Sequence, residues 1–284
     1  MNLWTKFALG AATIGGAGIA TGFTAQRFAM AKADDAFAKI IGATVAPEGK
    51  FDPRDVSGLP EIARRYFRHA IAPGTPLYSS AELTMKGLFL LGSKENYQTY
   101  RMRARQALGA SNQFVWIPSL FSGPVVITGS DALFNGSAWT RFWLFGIVPV
   151  ANEQASADLV RSAQFRAVME SAIWLPPSLL PGNGVDWHQL SDDTAWLTFT
   201  RFEPAIEIIM TIDAAGAVKQ LVGKRWSNAN TEKVFRLQPF GGVVLAESTF
   251  EGLTIPSQLA VGNHFGTGNY LPFFQATVTA VEYY

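Results

Sequence analysis

From Ser79 onward, apolar and polar positions alternate with a period of two over much of the chain, which is the pattern of half-buried strands. The alternation predicts strands at residues 81–90, 97–107, 114–117, 124–128, 138–145, 195–201, 205–212, 218–226, 231–237, 243–250, 254–261 and 273–282, most of them bounded by Gly, Pro, Asn or Asp. Asp213-Ala-Ala-Gly216 lies between two such runs and reads as a hairpin turn, so neighbouring strands are expected to be antiparallel. Ile206, Ile208, Met210 and Ile212 give one strand a wholly apolar face, which must look into a core or a ligand cavity.

The period changes to that of a helix in two places. Leu59, Ile62, Ala63, Tyr66, Phe67 and Ala70 recur on one face, with Arg64, Arg65 and Arg68 on the other; Ser57 is placed to cap this helix, and Pro73, Gly74 and Pro76 end it. A second helix is expected over 155–174, carrying Leu159, Val160, Ala163, Val168, Met169, Ala172 and Ile173, until Pro176 and Pro177 stop it. A helix, a set of strands, a long helix and a second set of strands is not the alternation of a parallel α/β sheet. It fits a mainly β (α+β) fold: a curved antiparallel half-barrel with helices packed on one face and an N-terminal membrane helix.

That membrane helix is expected from Phe7 to Gln26, about 20 residues without a charge, framed by Lys6, Arg27 and Lys32. The alternative is a secretory signal cleaved after Ala29-Met30-Ala31. Gly18-xxx-Gly22 suits close packing of a membrane helix, which would allow a homodimer through it. The organisation predicted is an anchor or signal over 1–30, a linker over 31–58 with a short helical patch at Ala36 to Ile41, and one domain over 59–284. It places the chain in the inner membrane as a single-pass protein with its domain on the periplasmic side, or free in the periplasm if the segment is cleaved.

Composition narrows the chemistry. With 284 residues, 16% charged and 13% aromatic, the chain can bury a large core, and disorder is excluded. A formal net charge of +1 leaves no surplus of Lys and Arg for nucleic acid. The absence of cysteine removes disulfides, thiolate nucleophiles and iron–sulfur clusters. The three histidines, His69, His188 and His264, are far apart and make no metal-ligand spacing. There is no G-x-S-x-G elbow, no Walker lysine loop, and no dinucleotide fingerprint in a βαβ setting. No cofactor is expected.

Several segments carry a resemblance: Leu59-Pro60 followed by Arg64 to Ala70, Phe114-Val115-Trp116, Leu144 to Pro149, and above all Trp174 to Trp187 (WLPPSLLPGNGVDW). Together they resemble an uncharacterised bacterial domain family of unknown function, over nearly all of the chain after residue 58. Ala104 and Gln106 match that family's Ala-x-Gln, while Tyr97 and Tyr100 stand where its pattern has a tryptophan and a phenylalanine. The layout is also similar to the envelope carriers of lipoproteins and lipids, half-open barrels that hold acyl chains on an apolar concave face. What this implies is an apolar ligand.

The candidate ligand-binding residues follow from both readings. Arg101 and Arg103 alternate with Arg105 along one strand at about 7 Å intervals, either as an anion-binding strip or as a solvated convex face paired with acids such as Glu82. Glu170 lies four residues before Trp174 on one side of the long helix, placed to orient a ligand or to cap Arg225. Ile206, Ile208, Met210 and the Trp174 end of the long helix would supply the apolar surface, and Arg101, Arg103 and Arg225 the contacts to a head group. Phe142, Trp143, Phe145, Phe273 and Phe274 read as a rim or as ordinary core. The function expected is that of a non-catalytic, membrane-anchored envelope protein binding a membrane lipid or another apolar small molecule. Two other classes stay open: a hydrolase-type enzyme with paired acids in a polar cleft, and a structural protein with a fully packed core.

Overall fold

The computed structural model of the protein describes residues 16–43, 47, 49–109 and 112–284. Three α-helices and thirteen strands make up the described fold: α1 Gly16–Gly42, α2 Glu61–Ala70 and α3 Ala157–Trp174. The first strands are β1 Ser80–Ser93, β2 Asn96–Gly109, β3 Gln113–Ser122, β4 Val125–Phe134, β5 Ser137–Leu144 and β6 Val148–Gln154. After α3 come β7 Val185–Gln189, β8 Thr194–Phe199, β9 Ile206–Ile212, β10 Val218–Ser227, β11 Arg236–Phe250, β12 Leu253–Asn263 and β13 Leu271–Tyr283.

All thirteen strands form one antiparallel sheet in the order β6-β5-β4-β3-β2-β1-β13-β12-β11-β10-β9-β8-β7. Every neighbour is the next strand in sequence except at the centre, where the first strand pairs with the last, Leu83 opposite Val281. Tight turns make the hairpins: Asn135-Gly136 and Glu251-Gly252 both carry the two positive φ values of a type I′ turn. The predicted turn at Asp213 is present, with Asp213 Oδ1 accepting from the amides of Ala215 and Ala217.

The one long connection shapes the molecule. β6 and β7 are opposite edges of the sheet, and α3 joins them by crossing its concave face. Ser156 caps α3 by accepting from the Leu159 amide. Its far end is pinned in the core: Trp174 is 1% exposed, its indole donates to Pro256 O, and Tyr283 and Tyr66 donate to the carbonyls of Trp174 and Ala172. α2 packs at this end against β7, β8 and β12, with Tyr66 and Phe67 stacked about Trp187. Its N-cap is Pro60 with no side-chain bond, not Ser57, which ends a 3₁₀ turn at Pro53–Val56 capped by Asp52.

The helices do not share one face. Ala29, Ala33, Ala36, Phe37 and Ile40 form a buried stripe along α1, and this stripe lies on the convex side of β2–β5 against Ala107, Val115, Ala132 and Trp139. Arg105, the last of the arginine row, pairs with Asp34 and covers the Phe37 ring at 4.5 Å. Residues 31–42, expected within a linker, are therefore helix docked on the sheet. The exposed polar residues Lys32, Asp35 and Lys39 interleave with the stripe and made it hard to see.

No helix among the described residues is long and apolar enough to cross a membrane. The predicted membrane helix spans residues 7–26, of which 7–15 lie outside the described residues. At Gly22 a Cβ would stand 2.3 Å from the carbonyl oxygen of Ile147 in the β5–β6 turn, so the close approach this glycine permits is made within the chain. The small-residue pattern thus has a partner other than a second copy, and a dimer through this helix has no support here.

Candidate functional site

Crossing from edge to edge, α3 stands off the middle of the sheet and leaves a cavity of about 400 Å³ beneath it. Arg166, Met169, Glu170, Ile173 and Trp174 recur at the spacing of one helix face and form one wall. The opposite wall is a band of rings that runs across the strands: Phe240 to Phe273 at 6.3 Å between centroids, Phe273 to Phe89 at 5.6 Å, Phe89 to Trp116 at 5.7 Å and Trp116 to Phe142 at 6.3 Å. Leu221, Val244, Leu259 and Val261 add to the apolar lining. Protein interiors rarely leave a void larger than a water molecule. One of this volume, at about 30 Å³ for each water-sized group, takes about a dozen such groups.

One side of the cavity is polar. Arg166 Nη1 lies 2.5 Å from Asp131 Oδ2, and its Nε lies 2.6 Å from Glu170 Oε1. Thr140 donates to the other Asp131 oxygen at 2.9 Å, and Gln106 donates to the other Glu170 oxygen at 2.6 Å. All four carboxylate oxygens therefore accept a hydrogen bond. The guanidinium also covers the rings of Phe114 at 4.4 Å and Trp116 at 5.1 Å. Burial pushes the Glu170 carboxyl above the usual range, against the pull of Arg166. Burial opposes the charge on Arg166, and Glu170 and Asp131 more than offset it, so its pKa is raised.

Arg225 differs from Arg166. Its Nε donates to Ser162 Oγ at 3.1 Å and its head covers Phe240 at 5.3 Å, and no carboxylate lies within ion-pair distance of it among the described residues. Burial, and then the like charge of Arg166, lower its pKa to about 10. The Trp116 indole N–H and Gln106 Oε1 are also buried without a partner.

Glu170, Trp174 and Arg225 are thus brought together on the cavity. The other candidates are not. Ile208 and Met210 are 1% and 0% exposed in the packed core, and Ile206 packs against that core, so this apolar face belongs to the interior and not to the cavity. Arg101 and Arg103 are exposed on the convex face, because β2 turns Tyr100, Met102 and Ala104 inward. Of the aromatics, Phe142, Phe273 and Phe274 line the cavity, Trp143 is buried elsewhere and Phe145 is exposed. Arg166 and Asp131 were not anticipated. The spacing of Arg166 to Glu170, four residues on a helix, was readable; the pairing with Asp131 depends on the crossover of α3. No group of metal-ligating residues occurs among the described residues.

A family of unknown function, DUF6544, matches residues 49–276. The chain belongs to this family. That agrees with the resemblance carried by Trp174 to Trp187, which in this DUF6544 member forms the pinned end of α3 and the turn into β7. No protein of curated function matches the chain. Among solved structures, a domain named for outer membrane lipoprotein sorting from Vibrio parahaemolyticus is similar at 11% identity and a TM-score of 0.41, covering 78% of this chain and 91% of its own. A LolA superfamily protein from Nitrosomonas europaea is similar at 7% identity and a TM-score of 0.39, covering 84% and 94%. A DUF1329 family protein from Desulfovibrio piger is similar at 9% identity and a TM-score of 0.34, covering 78% and 90%. These neighbours are of the kind the layout resembles, and at such distances nothing about function is inferred from them.

Proposed function

We propose that this domain binds an apolar small molecule, held in the cavity between α3 and the aromatic band. The observation that carries the reading is the cavity itself: about 400 Å³ and apolar on most sides. Burial gains about 0.8 kcal/mol per methylene. A chain of about a dozen carbons therefore gains ~10 kcal/mol, and losing its freedom of motion costs at least ~4 kcal/mol. The remainder corresponds to micromolar or weaker binding. Asp131 and Glu170 favour binding over acid–base chemistry, since both are tied to one guanidinium and each of their oxygens already accepts a hydrogen bond.

Ile173→Trp tests this reading, because the half-buried Ile173 lines the cavity and the larger ring would fill it. Wild type should bind the probe N-phenyl-1-naphthylamine and 1-dodecanol, and the variant should lose at least tenfold in affinity with its melting temperature unchanged or raised. A wild type that binds neither, or a variant that binds both as well, would overturn it.

We propose that the domain stands outside the inner membrane, held there through the uncharged residues from Phe7 onward that precede the packed Gly22 of α1. Carbonate washing of membranes from expressing cells tests this: the full-length chain should stay with the membrane, and its release would remove the anchor.

A further inference from the structure

Resting on that reading, we propose that the occupant is an amphiphile with a single acyl chain and a carboxylate head, and that Arg225 receives the head. Ion pairing leaves Arg225 as the odd cation of the cavity. Arg166 is answered by two carboxylates, at 2.5 and 2.6 Å, whereas Arg225 has a hydroxyl on Nε, a ring under its face and no acid in reach among the described residues. Those two contacts fix the plane of the guanidinium and leave its terminal nitrogens for a ligand. A guanidinium held in this way presents the planar fork that matches a carboxylate.

The polarity of the cavity fits a head-to-tail occupant. Along α3 the exposure falls from Asp158, which is exposed and accepts from the Trp226 indole, to the fully buried Trp174. Arg225 neighbours Trp226 in β10 and meets α3 at Ser162, in the outer half of that helix. A chain whose head lies at Arg225 would run along the face of Met169 and Ile173 toward Trp174. From Ser162 to Trp174 the helix rises about 18 Å. The electrostatics agree: burial, and then the like charge of Arg166, depress Arg225 although Asp131 and Glu170 pull the other way.

The test compares heads on one tail. Dodecanoate, 1-dodecanol, dodecyl phosphate and dodecyltrimethylammonium are titrated by calorimetry, below their micelle concentrations, into the purified full chain at neutral pH. Dodecanoate should bind at least tenfold tighter than dodecanol, one step of about 1.4 kcal/mol, and the quaternary ammonium should bind weakest. Arg225→Met should bring dodecanoate to the level of dodecanol and leave dodecanol itself unchanged, while Arg225→Lys should keep part of the preference. Equal binding of all the heads would overturn the headgroup assignment and leave the apolar cavity standing. A tenfold preference for dodecyl phosphate over dodecanoate would overturn the carboxylate. Binding of none would remove both the assignment and the reading beneath it. Should Arg225→Met fail to fold, Arg225→Lys decides: a preference for dodecanoate as large as that of wild type would overturn the assignment to Arg225.

Discussion

Replacing Arg166 by Met takes away the cation shared by two buried acids and leaves the shape of the helix face nearly intact. The side chains of Arg166, Asp131 and Glu170 are 15%, 20% and 12% exposed, so water screens them little. Removing one partner of a buried pair costs about 3–5 kcal/mol. A protein of this size loses roughly 2–4 °C per kcal/mol, which gives a fall in melting temperature of about 6–20 °C. The loss should depend on pH. Burial already raises the Glu170 carboxyl above its unfolded value, and without Arg166 the main force pulling it down is gone. A carboxyl raised on folding binds more protons in the folded state, so stability falls as pH rises from the unfolded value through the folded one. Arg166→Met should therefore recover stability as pH is lowered from 8 toward 5, more steeply than wild type, and adding Asp131→Asn and Glu170→Gln should restore part of the loss at pH 8. Thermal melts followed by circular dichroism at pH 5, 6, 7 and 8 measure this. A variant within about 2 °C of wild type, or one that weakens on acidification, would refute the role given to the cluster.

Met210→Ala should cost about 2–5 kcal/mol, because Met210 is fully buried, and should leave the affinity for 1-dodecanol within twofold in denaturant melts and calorimetry run side by side. Arg101→Ala with Arg103→Ala should leave dodecanoate affinity unchanged, since both side chains lie on the convex face. Gly22→Val forces a side chain into the Ile147 backbone and should lift the first part of α1; faster trypsin cleavage at Arg27 and Lys32, with little change in the melting of the sheet, is the expected result.

The strands were legible where one face is wet, as in β9 and β10, because alternation then survives in the sequence. It failed where backbone demands broke the pattern. Pro118 cut short the expected third strand, yet β3 continues to Ser122. Gly241 and Gly242 read as a break between two strands, and they lie inside β11, each so close to a neighbouring strand that a Cβ would meet its backbone within 2.5 Å. Residues 231–235, expected as strand, are irregular, while the edge strands β6 and β7 are short and went unseen. The site was half legible. Glu170, Trp174 and Arg225 belong to it, but Ile206, Ile208 and Met210 present the same alternation whether they line a cavity or fill a core. Only the path of α3 decides between these, and that path is set by contacts far apart in sequence, such as Trp174 to Pro256.

A crystal structure of the chain grown with dodecanoate would test the occupied cavity most directly. The account predicts a chain extended along Met169 and Ile173 beneath the Phe273 ring, with its carboxylate on the terminal nitrogens of Arg225. Density for the ligand on the outer surface, with the cavity closed by collapse of Phe89 and Phe273 onto α3, would contradict it.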